Sequence, residues 1–263
     1  MQELIRFECD KQVATLTINR PKELNSLSEA AFLELKQALL SLHQNQDIKL
    51  VVLRGEGKAF CAGGDIGFFS RIVTLPVAER ADAVRGYIGL AHEVVELLAG
   101  LPVPLMVVVQ GAAAGFGLSL CCLADLLVVT DNSRFVPAYI GLGATPDGGL
   151  SLTLPGKIGR GRATQLLLSN SSFDAHQAES WGLASTVIAA EELDNTVQNY
   201  AHKIAENPGT AVSNTLQLLK QKQLAELKTR LQHELESFAV CAATADFEEG
   251  VNAFTNQRKP QFS

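Results

Sequence analysis

Two glycine-rich segments, residues 55–65 and 111–117, each follow a short apolar segment typical of a buried strand. Glycine lets a backbone approach a ligand closely, and the first amides of a helix have no partner within that helix. Two such turns that converge would form an oxyanion hole, which stabilises negative charge developing on a carbonyl oxygen. The same glycines could serve only as tight turns, and the pattern alone leaves both interpretations open.

The elements around these turns alternate between strands and helices and then become helical. Residues 3–9 and 12–19 predict a hairpin, and Ser28 predicts the cap of an amphipathic helix. Further along the chain, the patterns predict strands at 50–53, 105–109 and 126–130, and helices at 78–99, 118–124, 163–168, 174–181, 191–206 and 208–222, then two amphipathic helices in the last 40 residues. This order predicts an α/β core followed by a helical module.

The composition excludes several classes of function. The 263 residues carry a net charge of −6 with no cluster of Lys and Arg, which argues against nucleic acid as the main partner. Five cysteines without a C-x-x-C pair predict a reduced, cytoplasmic protein with no structural metal site. The apolar run 101–129 is interrupted by Pro, Gly and Asp, so we expect buried strands and a buried helix and no membrane contact.

Residues 51–66, with the sequence VVLRGEGKAFCAGGDI, resemble the signature of the crotonase (enoyl-CoA hydratase/isomerase) superfamily. Further blocks resemble the same superfamily in register over nearly the whole chain: Asn19-Arg20-Pro21 with Asn25-Ser26-Leu27, residues 104–124, Gly159 with the segment 178–183, and residues 254–262.

The resemblance implies an α/β fold, with a ββα spiral core at residues 1–200 and a C-terminal helical trimerisation module at residues 201–263. It implies a homotrimer or a dimer of trimers that binds an acyl-CoA thioester between subunits. Coenzyme A would then be part of the substrate, so no separate cofactor is expected.

The oxyanion amides implied by the resemblance belong to Gly64 and Phe116. The family often has glycine at the second position, but a backbone N–H can act whatever its side chain. The residues implied to lie along coenzyme A are Lys22, Glu23, Leu24, Ala62, Gly64, Asp65, Ile66 and Phe116. For Asp65, a cap or brace of the turn is the alternative to ligand contact.

The acidic residues decide which reaction the resemblance implies. Hydratases of the superfamily use two glutamates, and the motifs place Ser119 and Tyr139 at those positions. Neither residue can replace a carboxylate as a general base at neutral pH. Asp147, in the sequence Pro146-Asp147-Gly148-Gly149, stands where double-bond isomerases carry an acid.

Asp147 also precedes a predicted helix, and from the residues alone an N-cap role is favoured. The resemblance reverses that preference and implies a catalytic role for Asp147. Tyr139 could orient a hydrogen bond or line the pocket, and Ser119 fits a packed hydroxyl. The leading hypothesis is an enoyl-CoA isomerase of the 3-enoyl to 2-enoyl type. The alternatives are an acyl-CoA hydrolase, a hydratase-like enzyme, or a CoA-ester-binding protein without catalysis.

Overall fold

The computed structural model describes residues 3–263, in which nine strands build two sheets. The strands are β1 (Ile5–Asp10), β2 (Val13–Ile18), β3 (Leu50–Gly55), β4 (Leu105–Val109), β5 (Ala112–Ala114), β6 (Leu126–Thr130), β7 (Arg134–Val136), β8 (Phe173–Asp174) and β9 (Thr186–Ile188). The larger sheet has the order β1-β2-β3-β4-β6-β9, and the smaller has the order β5-β7-β8. The predicted hairpin is confirmed as antiparallel β1 and β2, and the remaining neighbours in the larger sheet are parallel.

The parallel strands are apolar because helices cover both faces of the larger sheet. All five residues of β4 are buried, and successive side chains point to opposite faces. Val107 and Val109 belong to the main core, whereas Met106 and Val108 belong to a smaller apolar cluster on the other face.

Ten α-helices surround the sheets in residues 3–263. They are α1 (Glu29–Gln44), α2 (Ile66–Ile72), α3 (Val77–Ala99), α4 (Phe116–Leu123), α5 (Leu150–Ile158), α6 (Arg160–Ser169), α7 (Ala175–Ser180), α8 (Leu193–Ala205), α9 (Gly209–Ala242) and α10 (Ala245–Thr255). The predicted cap of α1 is confirmed, since the Ser28 side chain accepts a hydrogen bond from the Ala31 amide. Helix α3 packs against both α1 and α9.

The two glycine-rich turns lie in direct backbone contact. The Ala114 amide donates a hydrogen bond to the Cys61 carbonyl over 2.9 Å. A Cβ atom at Gly117 would lie only 2.2 Å from that same carbonyl oxygen. Gly63 has a φ of +99°, and a Cβ there would lie 2.9 Å from the Ala114 carbonyl oxygen. Glycine is therefore required where the turns touch, and the structure shows the convergence that the sequence pattern had left open.

The C-terminal helices differ from the sequence-based prediction. The helix predicted at 208–222 continues without a break to Ala242, as the 34-residue α9. No Gly or Pro occurs between Thr210 and Ala242, so no residue type in this stretch interrupts the helix. The prediction of two further helices was therefore wrong in part, because only α10 follows α9.

Several short elements escaped prediction. Helix α2 and strands β5, β7, β8 and β9 have seven residues or fewer. Segments this short do not show a clear hydrophobic period, so neighbouring elements decide their conformation.

The apolar run 101–129 divides into β4, β5, α4 and β6. Within the described part of the chain, no helix is long and apolar enough to cross a membrane.

Helix α9 carries two exposed apolar residues in this single chain, Leu218 and Leu219, which are 77% and 76% exposed. The trimer and the division at residue 200 stay predictions.

The contact between the two glycine turns leads to a stability prediction. We expect Gly117→Ala to lower the free energy of unfolding by about 1–3 kcal/mol, because its Cβ would overlap the Cys61 carbonyl. Gly86→Ala is the matched control, since Gly86 lies within α3 and its added Cβ meets nothing within 4 Å. The control should raise stability by roughly 0.5–1 kcal/mol. Urea unfolding measures both variants, and equal stabilities for the two would contradict the prediction.

Candidate active site

The amides of Gly64 and Phe116 lie close together where the two glycine turns meet. Strands β3 and β4 are parallel neighbours, so the segments that follow them leave the same edge of the sheet. A Cβ added to Gly63 would lie 3.4 Å from the Phe116 nitrogen. Within residues 3–263, neither the Gly64 nor the Phe116 amide donates a hydrogen bond. Phe116 is the first residue of α4, whose leading amides have no partner within the helix.

Asp65 braces the first turn. One of its carboxylate oxygens accepts a hydrogen bond from the Gly67 amide and caps α2, over 2.8 Å. The other oxygen forms an ion pair with Arg20 at 3.0 Å. The Tyr87 hydroxyl accepts from the Asp65 amide at 2.9 Å and donates to the Leu27 carbonyl. The structure therefore shows the bracing role for Asp65, and its contact with a ligand stays a prediction.

The segments predicted to bind coenzyme A meet through their backbones. The Ala62 amide donates to the Leu24 carbonyl over 3.0 Å. Leu24 has a left-handed backbone and an exposed side chain, and Lys22 and Glu23 beside it are also exposed. Ile66 begins α2 directly after the first turn. The two segments are therefore adjacent at Leu24 and Ala62, and their contact with coenzyme A stays a prediction.

Asp147 is buried, with only 4% of its surface exposed. The Tyr139 hydroxyl donates a hydrogen bond to Asp147 Oδ1 over 2.5 Å. The Ser119 hydroxyl donates to the backbone carbonyl of Asp147 over 2.9 Å and lies 3.0 Å from the Tyr139 oxygen. The three residues therefore form one buried polar network.

Burial raises the pKa of Asp147 to about 7, because an ionised carboxylate loses its hydration there. The hydrogen bond from Tyr139 opposes that rise, and the charge of Glu234 adds to it. No basic side chain in the described residues forms an ion pair with this carboxyl group. Asp147 can therefore hold or release a proton near neutral pH.

The N-cap interpretation of Asp147 is wrong. Helix α5 begins at Leu150, and its N-cap residue is Gly149 and not Asp147. Gly149 has no side chain, so it gives the helix amides no side-chain hydrogen bond. The Asp147 carboxyl instead accepts from Tyr139. The two glycines that follow Asp147 have φ values of +65° and +80°, so the chain turns away before the helix starts.

The Phe116 ring connects the second turn to the Asp147 loop. A Cβ at Gly148 would lie 2.8 Å from Phe116 Cε2 and 2.9 Å from Ser119 Cβ. The backbone next to Asp147 therefore rests on the ring of the residue that supplies the second amide. The Phe32 ring meets Phe116 edge-on, with 5.2 Å between ring centroids.

Two further buried side chains, His92 and Glu234, hold the Asp147 loop, and neither was predicted from the sequence as a site residue. His92 Nε2 on α3 accepts a hydrogen bond from the Gly148 amide over 3.2 Å. Burial lowers the pKa of His92 to about 4, so the imidazole is neutral. Glu234 on α9 accepts from the Gly149 amide at 2.6 Å and from the Ser151 amide at 2.9 Å.

A signal for these two residues exists in the sequence. Glu234 follows Leu227 and Leu231 and precedes Phe238 at helical spacing, so it is a carboxylate on an apolar helix face. His92 lies on the buried face of α3 in the same way. A polar group at such a position must find a partner in the core, although the sequence does not show which one.

Cys61 lies in the first glycine-rich turn and is buried. Burial raises the pKa of the Cys61 thiol to about 12, which keeps it protonated, as expected of a small packed side chain. No cluster of three His, Cys, Asp or Glu residues in the described chain is placed to hold a metal ion.

Comparison with known proteins adds relatives that match along the full length. A family model described as enoyl-CoA hydratase/isomerase matches residues 8–263. The 1,2-epoxyphenylacetyl-CoA isomerase of Escherichia coli K12 is 33% identical to this chain, over 100% of this chain and 99% of that protein. The crotonyl-CoA hydratase of Syntrophomonas wolfei is 31% identical, over 99% of this chain and 98% of that protein.

Solved structures agree with the sequence relatives. The crystal structure of an enoyl-CoA hydratase from Mycobacterium avium subsp. paratuberculosis matches with a TM-score of 0.89 and 30% identity, over 99% of both chains. The predicted crotonase-like α/β fold with a helical C-terminal segment is therefore confirmed. Together with the match over residues 8–263, these findings show that the chain belongs to the enoyl-CoA hydratase/isomerase family.

Proposed function

We propose that this protein shifts the carbon–carbon double bond of an enoyl-CoA thioester, from the 3-enoyl to the 2-enoyl position. The observation that carries the proposal is the buried Asp147 carboxyl, because a pKa of about 7 suits a group that takes up and returns a proton at neutral pH. The E. coli relative is named an isomerase of an acyl-CoA, and the S. wolfei relative is named a hydratase of one. Both names support an acyl-CoA substrate.

Proton transfer through one carboxyl group accounts for the whole reaction. The Asp147 carboxylate removes a proton from C2, and the electron pair of that C–H bond delocalises into the thioester to give a dienolate. The proton then passes from Asp147 to C4. The double bond is left between C2 and C3, and the carboxylate is regenerated for the next turnover.

The amides of Gly64 and Phe116 stabilise the dienolate oxygen in this mechanism. Both are unpaired and lie where the two turns meet, so no rearrangement is needed as charge develops. Loss of one such donor typically costs about 2.7–4 kcal/mol of transition-state stabilisation.

The residues around Asp147 support isomerisation rather than hydration. Ser119 and Tyr139 occupy the positions at which the family resemblance places the two hydratase glutamates. Both hydroxyls are engaged with Asp147, one at its backbone carbonyl and one at its side chain. No second carboxylate stands at either position to direct a water molecule at the acyl chain.

Replacing the proton carrier tests the proposal. We expect Asp147→Asn to lower kcat for 3-enoyl-CoA isomerisation by about 10²- to 10⁴-fold, the usual contribution of a general acid or base. The amide is close in size to the carboxyl and still accepts from Tyr139, so folding should be retained. The assay follows the absorbance of the conjugated thioester, and Asp131→Asn, an exposed carboxylate, is the control.

Measurements of free coenzyme A, of hydration and of CoA-ester binding, made beside this assay, separate the alternatives. Full activity in Asp147→Asn would contradict the role of Asp147. Release of free coenzyme A would indicate a hydrolase, and addition of water to 2-enoyl-CoA would indicate a hydratase. Tight binding of a CoA ester without any turnover would indicate a binding protein.

The raised pKa of Asp147 predicts an unusual pH profile. The ionised carboxylate is the active base, so kcat/KM should rise with pH up to about 7 and level off above it. Below pH 7 it should fall about tenfold per pH unit. Initial rates across a pH series measure this limb. A limb centred near pH 4, as for an ordinary carboxyl group, would contradict the burial argument.

Tyr139 should affect the acid limb of this pH profile, the part in which kcat/KM rises with pH. Its O–H donates to the ionised carboxylate and lowers the pKa of Asp147. Tyr139→Phe removes the donor, so the acid limb should shift to higher pH by about one unit. Tyr200→Phe on α8, remote from the network, is the matched control and should leave the limb in place. An unchanged limb in Tyr139→Phe would show that the hydroxyl does not stabilise the carboxylate.

A further inference from the structure

Glu234 is a buried carboxylate for which the proposed reaction has no role. It lies on the apolar face of α9 between Leu231 and Phe238, and only 4% of its surface is exposed. In the described chain it forms no ion pair with a basic side chain. Burying an ionised carboxylate is strongly unfavourable unless hydrogen bonds compensate, so its contacts should matter.

The contacts of Glu234 are with the loop that carries Asp147. Its two oxygens accept from the amides of Gly149 and Ser151, so the carboxylate bridges the start of α5. Gly149 is the N-cap of that helix and has no side chain to cap it. Glu234 therefore supplies, from another helix, the cap that α5 lacks, and the positive end of α5 favours its charge.

This bridge fixes a backbone that would otherwise be free to turn. Gly148 and Gly149 both adopt left-handed conformations, and glycine has many alternatives to that geometry. The neutral His92 holds the Gly148 amide, and Glu234 holds the next amide along the chain. The orientation of the backbone next to Asp147 thus depends on His92 from α3 and Glu234 from α9.

We propose that Glu234 is a positioning residue, whose buried carboxylate fixes the backbone of residues 148–151 and places a second negative charge beside Asp147. The catalytic part of this inference rests on the proposed function of Asp147. The structural and electrostatic parts do not depend on turnover.

The titratable groups that face Glu234 come from several elements. His92 on α3 is neutral, Tyr139 and Asp147 lie on the adjoining loop, and Arg230 lies one turn earlier on α9. Burial raises the pKa of Glu234, whereas its hydrogen bonds with Ser151 and Gly149, and then the charge of Arg230, lower it. The charge of Glu234 in turn raises the pKa of Asp147.

Two substitutions separate the effect of the charge of Glu234 from the effect of its side-chain length. Glu234→Gln keeps the size but removes the charge and one of the two acceptor oxygens. Glu234→Asp keeps the charge but is one methylene shorter and cannot bridge both amides. Glu236→Gln is the matched control, because Glu236 is an exposed carboxylate on the same helix that pairs with Arg85.

Titration of the Asp147 carboxyl by NMR is the first measurement, with ¹³C-labelled aspartate and the Asp147→Asn spectrum as the assignment. We expect the midpoint in Glu234→Gln to fall by about half a pH unit or more, a threefold change in the ionisation constant, because a like charge has been removed. The midpoints in Glu234→Asp and Glu236→Gln should stay near that of the wild type. An unchanged midpoint in Glu234→Gln would overturn the electrostatic part.

Hydrogen exchange and kinetics test the positioning part. The peptide that spans residues 148–151 should exchange faster in both Glu234 variants than in Glu236→Gln. Where the wild type isomerises enoyl-CoA, kcat should fall about tenfold or more in Glu234→Asp, with KM changed less than threefold, because a misplaced base affects chemistry more than binding. Wild-type exchange and kcat in Glu234→Asp would overturn positioning, and this variant decides the question if Glu234→Gln does not fold.

The design also distinguishes the two proposals. Titration and exchange need no substrate, so they report on Glu234 even if no isomerase activity is found. Absence of isomerisation in the wild type, with the expected midpoint shift in Glu234→Gln, would reject the proposed function alone.

Discussion

The burial of the Asp147 carboxyl without a basic partner is the constraint on which the site depends. Removing a carboxylate from water disfavours its charged form, so its pKa rises to about 7. A basic neighbour would have cancelled that effect and left a permanently ionised group. The Tyr139 hydroxyl instead gives a single hydrogen bond, which stabilises the charged form without fixing it. The surroundings therefore allow both protonation states near neutral pH, as a group that accepts and returns the same proton requires.

Backbone contact between the two glycine turns is the second constraint, and it follows from the sheet. Because β3 and β4 are parallel neighbours, the segments after them must leave the same edge, and they can approach closely only where side chains are absent. Gly63 and Gly117 meet that condition, with carbonyl oxygens where a Cβ would lie. The consequence is a pair of unpaired amides at Gly64 and Phe116. The Phe116 ring packs against Gly148 in the Asp147 loop. The residue that supplies the second amide therefore also contacts the loop that carries the carboxyl.

His92 and Glu234 show how distant parts of the chain contribute to one loop. They lie on α3 and α9, yet both accept hydrogen bonds from consecutive amides of the Asp147 loop. Each side chain occupies an otherwise apolar helix face, where a polar group is tolerated only if it is satisfied. The packing of α3 against α9 therefore also orients the candidate acid, and a change in that packing would reach the site through these two residues.

The sequence by itself determined the elements whose causes are local. The hairpin, the buried strands, the Ser28 cap and the two glycine turns follow from hydrophobic period, capping chemistry and the steric freedom of glycine, and the family resemblance indicated Asp147. Only the tertiary structure decided that Asp147 is not a helix cap, that Tyr139 donates to it, and that His92 and Glu234 hold its loop. It also decided that α9 runs unbroken to Ala242. The physical reason is that a hydrogen-bond partner and the loss of hydration depend on residues that are near in space but far apart in the chain, and periodicity within one element does not encode that proximity.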